Sequence, residues 1–325
     1  MSEAQTETIR RAIPPYATES FWKAQDGWQI RRIDWPHLDR DGNAAQNVRG
    51  SMLFLPGRGD HYEKYLELLD QFSRRGWRVT AIDWRGQGGS GRMLPDPHIG
   101  HIDDFSTWIS DLGAFWREWK AQNPGPHVIM AHSMGGHLAM RALCENVIDP
   151  DAVALSAPML GIQTMGLPYV AYHALAKLLR SLGDPNRAAW KEGEKPGSPL
   201  NTRAKILTHD ASRYADELYW WEKRLEVRLG PPSWHWVERA IASTRLLNAP
   251  AVMETVQIPI LLMATTADRL VDTRRIIRDA KRLPNSELLL FGNEAAHEIL
   301  READPVRDKC IAAIENFFDL HAPKL

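Results

Sequence analysis

The stretch Val128-Ile-Met-Ala-His-Ser133-Met-Gly-Gly136, followed by the helical run His137–Cys144, decides the fold. Val128–Ala131 is apolar and too short for a buried helix, so it predicts a strand. A strand that ends in a sharp turn with a serine at its tip, and continues into a helix, is the usual setting of a nucleophilic serine. The helix N-terminus would direct its amides at negative charge developing beside Ser133. The alternative is a serine in an ordinary strand-to-helix turn, and this stretch alone leaves that open.

Short apolar runs alternate with amphipathic helical patterns on both sides of this turn. The other predicted strands are Ser51–Leu55, Val79–Ile82, Ala152–Leu155, Ile258–Ala264 and Glu287–Phe291. The other predicted helices are Tyr62–Phe72, Phe105–Lys120, Thr273–Leu283 and a last one with Asp304 as N-cap and Pro305 at N1. Strands that alternate with helices predict an α/β fold with a mostly parallel sheet covered on both faces.

The alternation stops after Pro158 and resumes at Ile258. We therefore expect a core formed by residues 1–158 and 251–325, interrupted by a helical lid over residues 159–250. The insertion is rich in tryptophan and leucine, which either form its own core or line an acyl channel and a membrane-facing rim. It has 13 Lys or Arg and 9 Asp or Glu residues. This positive balance either favours an anionic head group or belongs to an ordinary solvated face.

The composition of the whole chain excludes several classes of protein. The 325 residues carry a formal net charge of −1, so no global field favours nucleic acid. The 2 cysteines are too few for a disulfide framework. No apolar stretch approaches the roughly 18 residues that span a bilayer. The polar segment Met1–Arg11 lacks the apolar part of a secretory signal. We expect a cytoplasmic protein, with peripheral contact at the inner face of the membrane through the insertion.

Candidate partners for Ser133 follow it in the chain. A serine hydroxyl needs a histidine to take its proton, and the histidine needs a carboxylate to fix its tautomer. Asp268 lies in the loop after the predicted strand Ile258–Ala264, and His297 lies after the strand Glu287–Phe291. The order serine, acid, histidine is that of strand-turn-helix hydrolases. Asp272 is the rival acid, although it is better placed to cap the helix that begins at Thr273.

Acyl transfer also needs hydrogen-bond donors for the oxyanion, usually two backbone amides. One is the amide of Met134, directly after the nucleophile. The loop Pro56-Gly57-Arg58-Gly59 follows an early strand, and its glycines let the backbone approach a ligand closely. We assign the second donor to the Arg58 amide. The alternative is a plain loop with no part in the chemistry.

Several segments together resemble the bacterial lysophospholipase and monoacylglycerol lipase branch of the α/β-hydrolases. They are Pro56–Gly59, Asp83–Gly91, Ala131–Gly136 and Ala157–Met159, with Asp96–His101 and His235–Val237 closer to the lysophospholipases. The similarity is dense from Leu53 to Pro158, returns at Asp268 and His297, and is thin in the insertion. The resemblance implies the α/β-hydrolase fold with Ser133, Asp268 and His297 as catalytic triad and Arg58 and Met134 as oxyanion donors.

The predicted function is a serine carboxylic ester hydrolase that acts on a lysophospholipid or a monoacylglycerol. Its substrate is a small lipid ester, the chemistry requires no metal or organic cofactor, and the oligomeric state is left open. Two other classes remain: a serine aminopeptidase, which would use Glu192, Glu194 or Glu222 to hold a substrate amine, and a non-catalytic ligand-binding protein on the same core. Dehalogenases and epoxide hydrolases are excluded because their nucleophile is an aspartate.

Overall fold

One twisted sheet of 8 strands organises the chain, in the order β1-β2-β4-β3-β5-β6-β7-β8. The structure is a computed structural model, and it describes residues 9–39, 45, 48–164, 167–190 and 200–324. The strands are β1 (Thr18–Lys23), β2 (Gln29–Trp35), β3 (Gly50–Leu55), β4 (Trp77–Ile82), β5 (His127–His132), β6 (Ala152–Ser156), β7 (Ile260–Thr265) and β8 (Ser286–Phe291).

The six strands from β3 to β8 are parallel, which confirms the predicted sheet type. Strands β3, β6 and β7 are buried at every position, as expected where helices cover both faces. The sequence pattern missed β1 and β2, an antiparallel hairpin that pairs antiparallel with β4 at one edge. Strand β1 is largely exposed, and an exposed edge strand has little apolar periodicity to reveal it.

Helices lie on both faces of this sheet. They are α1 (Leu66–Ser73), α2 (Phe105–Gln122), α3 (Met134–Cys144), α4 (Tyr169–Ser181), α5 (Leu200–Leu207), α6 (Ala211–Lys223), α7 (Trp234–Leu247), α8 (Thr273–Ala280) and α9 (Asp304–His321). The predicted helix Tyr62–Phe72 begins with a 3₁₀ turn, Tyr62–Tyr65, that leads into α1. Helix α3 begins directly after Ser133 rather than at His137.

The predicted N-cap of the last helix is wrong by one residue. Asp304 is the first residue of α9, Ala303 is the N-cap, and Pro305 lies in the first turn. The Asp304 carboxylate accepts a hydrogen bond from the Arg213 guanidinium at 2.7 Å instead of capping its own helix. A partner from a distant helix has replaced the local capping bond, and sequence spacing does not predict such a partner.

Helices α4 to α7 all lie between β6 and β7. Helix α7 packs against α4 and also against the core helices α2 and α3. Its N-cap Ser233 is tied to the core because its backbone amide donates to the carbonyl of Gly100 at 2.9 Å. Among the helices that the structure describes, none has both the length and the apolar character needed to cross a membrane.

Candidate active site

Ser133 occupies a strained turn between β5 and α3. Its φ of 49° and ψ of −115° lie outside the regions that most L-residues adopt. The turn also needs Gly135, because a Cβ there would lie 2.4 Å from the carbonyl oxygens of Leu55 and Pro56. This contact brings the turn against the end of β3. The hydroxyl of Ser133 therefore lies at the carboxyl edge of the sheet, beside the loop that contains Arg58.

The structure brings Ser133, His297 and Asp268 into one hydrogen-bonded chain. His297 Nε2 lies 2.9 Å from Ser133 Oγ, and His297 Nδ1 lies 2.7 Å from Asp268 Oδ2. The other carboxylate oxygen, Asp268 Oδ1, accepts from the amides of Leu270 and Val271 at 2.8 and 3.0 Å. These two amides fix the orientation of the carboxylate. The parallel strands explain the meeting, since the carboxyl ends of β5, β7 and β8 share one edge.

The rival acid has a different position. Asp272 is the N-cap of α8, and its Oδ1 accepts from the amide of Arg274 at 3.1 Å. The predicted cap is therefore confirmed, and Asp268 is the carboxylate in contact with His297.

Burial and charge act in opposite directions on the imidazole of His297. His297 and Asp268 are only 3% and 6% exposed. Burial alone lowers the pKa of His297, but the charge and hydrogen bond of Asp268 outweigh it, so the net pKa is raised. For Asp268, burial raises the pKa, while His297 and the loop amides bring it below its usual value. The pair therefore favours a charged imidazolium beside a carboxylate, as a general base requires after it takes a proton.

A second histidine, His132, packs beside His297 with ring centroids 4.9 Å apart. Burial, helped by the nearby His297, lowers the pKa of His132 to about 4. His132 is therefore neutral at pH 7. A neutral neighbour does not oppose the positive charge that His297 acquires when it accepts a proton.

The two residues predicted as oxyanion donors lie on either side of the serine. Met134 supplies the first amide of α3, and the first four amides of a helix have no acceptor within it. Within the loop Gly57–Gly59, the amide of Gly57 donates to Asp60 at 3.1 Å, and that of Gly59 donates to the Gln87 side chain at 2.6 Å. Both amides that flank Arg58 are thus engaged within the protein.

The insertion contacts this site directly, which sequence reasoning missed. The amides of His297 and Glu298 donate to the carbonyls of Ile206 and Leu207 at 3.3 and 2.7 Å. The Gln163 side chain donates to the carbonyls of Asp268 and Val271 at 3.3 and 3.1 Å. The acceptor in each of these bonds is a backbone carbonyl, which every residue type has, so the sequence pattern does not reveal them.

Comparison with known proteins identifies the family. Residues 46–304 match the family model described as serine aminopeptidase, S33. The chain belongs to this family. It is accordingly a hydrolase of the α/β-hydrolase fold.

Relatives of this S33 hydrolase include lysophospholipase L2 of Escherichia coli K12, which is 33% identical over 93% of this chain and 89% of its own length. A probable lysophospholipase L2 of Haemophilus influenzae is 26% identical over 90% of each chain. The solved structure of a soluble variant of monoglyceride lipase from Saccharomyces cerevisiae covers 97% of both chains with a TM-score of 0.73 at 20% identity. This last likeness concerns the fold, and it confirms the predicted α/β-hydrolase fold.

Proposed function

We propose that the chain hydrolyses the carboxylic ester of a single-chain lipid, a lysophospholipid or a monoacylglycerol, and releases the fatty acid. The proposal rests chiefly on one observation, the 2.9 Å contact between His297 Nε2 and Ser133 Oγ within the hydrogen-bonded triad. Relatives named as lysophospholipase and monoglyceride lipase support a lipid ester as the substrate.

In the proposed mechanism, His297 Nε2 takes the proton of Ser133 as Oγ attacks the ester carbonyl. The amides of Arg58 and Met134 hold the oxyanion, and Asp268 stabilises the imidazolium. His297 then protonates the leaving glycerol oxygen, which leaves an acyl ester on Ser133. A water molecule attacks this ester after giving its proton to His297. The fatty acid departs as the proton returns to Ser133.

A cavity between the loop Gly88–Arg92 and the segment Leu225–Arg228 of the insertion favours an anionic head group over a neutral one. It has a volume of about 580 Å³, and Arg92, Arg228, His98 and Glu226 contribute to its lining. The Arg92 guanidinium donates to backbone carbonyls, among them those of Gly88 at 2.8 Å and Arg228 at 3.0 Å, and the charges of Asp83 and Glu226 act on it. Two guanidinium groups against one carboxylate give the lining a positive balance of charge, which suits the phosphate of a lysophospholipid.

We further propose that residues 159–250 act as a lid that contacts the membrane while the protein stays in the cytoplasm. Helix α4 supports this, because an apolar row on and beside it faces solvent. The row consists of Leu167, Val170, Leu175, Leu178 and Leu182. A helix with such a face suits the interface of a bilayer, where single-chain lipids reside. The first residues of the insertion lie near the acid loop, since Ile162 bridges to Val271.

The serine aminopeptidase alternative needs a carboxylate of the insertion near the triad, and the described contacts do not support one. Glu222 is exposed near the end of α6, whereas an amine-binding carboxylate would have to face the triad. Glu192 and Glu194 lie outside the described residues. No contact in the described part of the chain directs an acidic side chain of the insertion at Ser133.

A substrate panel tests the proposal. We expect kcat/KM to be highest for a lysophospholipid, lower for a monoacylglycerol of the same acyl chain, and negligible for an amino-acyl amide. Arg228→Gln should raise KM for the lysophospholipid roughly tenfold, as expected for the loss of a charge-assisted contact, and leave that for the monoacylglycerol unchanged. Preference for the amide would overturn the lipid assignment. Equal effects of Arg228→Gln on both lipids would overturn the phosphate role of the cavity.

The activity should depend on pH through His297. Only the neutral imidazole can accept the serine proton, and Asp268 raises the pKa of His297 above 6.5 despite burial. We therefore expect kcat/KM to rise with pH along an acidic limb whose midpoint lies above pH 6.5. His132, with a pKa of about 4, should add no second limb near neutrality. A profile measured between about pH 5 and pH 9 with the midpoint below 6.5 would contradict this assignment.

A further inference from the structure

A buried ammonium group joins the two loops that flank Ser133. Lys64 lies in the 3₁₀ turn before α1, and its side chain is only 1% exposed. Its Nζ lies 2.5 Å from Asp60 Oδ1, 2.7 Å from Glu298 Oε1 and 3.2 Å from Glu217 Oε1. Asp60 ends the oxyanion loop, Glu298 directly follows His297, and Glu217 belongs to α6 of the insertion.

Asp60 transmits the position of Lys64 to the oxyanion loop. Its second oxygen, Oδ2, accepts from the amide of Gly57 at 3.1 Å and from the hydroxyl of Tyr65 at 2.8 Å. Gly57 is close to the nucleophile, because a Cβ placed on it would lie 3.2 Å from the Cβ of Ser133. A displacement of Asp60 would therefore move the peptide that carries the Arg58 amide.

Glu298 transmits the position of Lys64 to the general base. Its side chain also pairs with Arg301, and its amide donates to the Leu207 carbonyl at 2.7 Å. Since Glu298 is covalently next to His297, it limits the positions that the imidazole can take. Lys64 thus spans, through two short ionic contacts, the distance between the oxyanion loop and the histidine loop.

The charges of this cluster balance. Three carboxylates, Asp60, Glu217 and Glu298, face the cations Lys64, Arg203 and Arg301. Burial raises the pKa of Glu298, but Lys64 and Arg301 outweigh it and lower this pKa to about 2, so the carboxylate is ionised. Buried ion pairs seldom add much net stability over well-packed apolar side chains. The position of this cluster beside the reacting groups therefore indicates that it fixes where those groups lie.

We propose that Lys64 is a positioning residue that fixes the Arg58 amide and the His297 imidazole relative to Ser133. This proposal rests on the proposed function, because it assigns Lys64 a part in the same ester hydrolysis. A misplacement of about 1 Å between reacting groups can lower a rate by on the order of 100-fold. Losing the bridge would also leave Asp60 without its lysine partner and Glu298 with Arg301 alone.

The variant Lys64→Met removes the charge and retains most of the apolar stem. We expect kcat to fall roughly 10- to 100-fold with a much smaller change in KM, because geometry at Ser133 rather than lipid binding is disturbed. The acidic limb of kcat/KM should move to higher pH. The reason is that Asp60 and Glu298 raise the pKa of His297 together with Asp268, and both would lose the opposing charge of Lys64.

Arg85→Met is the matched control. Arg85 is also a buried cation, with a side chain 4% exposed, and it pairs with Asp26 at 2.6 Å and Asp111 at 2.7 Å. These partners lie outside the oxyanion and histidine loops. We expect Arg85→Met to lower the melting temperature and to leave kcat within about twofold of that of the unmodified protein. An equal loss of kcat in both variants would assign the effect to stability and overturn the proposal.

Glu298→Gln tests the same bridge if Lys64→Met does not fold. It keeps the contact between Lys64 and Asp60 but removes a negative charge beside His297, so kcat should fall while the acidic limb moves to lower pH. These opposite pH shifts would not follow from a purely structural role. Unchanged kcat and pH profile in either folded variant would overturn the positioning role. An unmodified protein inert towards every ester would instead overturn the proposed function, and the positioning role with it.

Discussion

Replacing Ser133 by alanine is expected to lower kcat for the lipid ester by on the order of 10⁴- to 10⁶-fold. The reason is that Oγ is the atom that His297 Nε2 approaches at 2.9 Å, and no other group in the proposed mechanism forms the acyl bond. A fluorophosphonate probe should label the unmodified protein at Ser133 and fail to label Ser133→Ala. The measurements are the hydrolysis rate with saturating lysophospholipid and mass spectrometry of the labelled peptide.

Ser156→Ala provides the control. Ser156 is a buried serine at the end of the neighbouring strand β6, and in the described part of the chain its side-chain oxygen has no hydrogen-bond partner. Its carbonyl, which accepts from the Ser133 amide at 3.0 Å, is unaffected by the substitution. We expect full labelling and nearly full activity for this variant. Labelling that persists in Ser133→Ala would remove the nucleophile assignment.

The sequence was sufficient to predict where Ser133, Asp268 and His297 would meet. Each follows an apolar strand, and in a parallel sheet the carboxyl ends of the strands lie on one edge. Strand order was not needed for this conclusion, because β5, β7 and β8 point in the same direction. The strained φ of Ser133 was also implicit in the strand-turn-helix pattern.

The surroundings of the triad could not be predicted in the same way. Lys64 and Glu298 are 234 positions apart, and charged residues in an unaligned sequence are usually assigned to solvent. Their contact depends on the three-dimensional path of two loops rather than on any local period. The bonds from His297 and Glu298 to the end of α5 involve backbone atoms, for which residue types carry no information.

The acid of the triad can be tested by a pair of substitutions with opposite expectations. Asp268→Asn should lower kcat by on the order of 10⁴-fold. Asp268 Oδ1 accepts from the amides of Leu270 and Val271, so the asparagine oxygen would keep that position and its NH₂ group would face His297 Nδ1. The imidazole would then have to accept at Nδ1 and carry its proton on Nε2. In that tautomer it could not take the proton of Ser133.

Asp272→Asn is the control, because asparagine is as good an N-cap as aspartate. Its oxygen can still accept from the Arg274 amide, so we expect a change of less than about 0.5 kcal/mol in the free energy of unfolding and kcat within about twofold. Both variants should be compared at the pH of maximal activity, by kcat and by thermal unfolding. A larger loss of kcat in Asp272→Asn than in Asp268→Asn would transfer the acid to the other carboxylate. The loop after β7 would then have to rearrange before catalysis, because Asp268 is the side chain that holds the histidine in the present geometry.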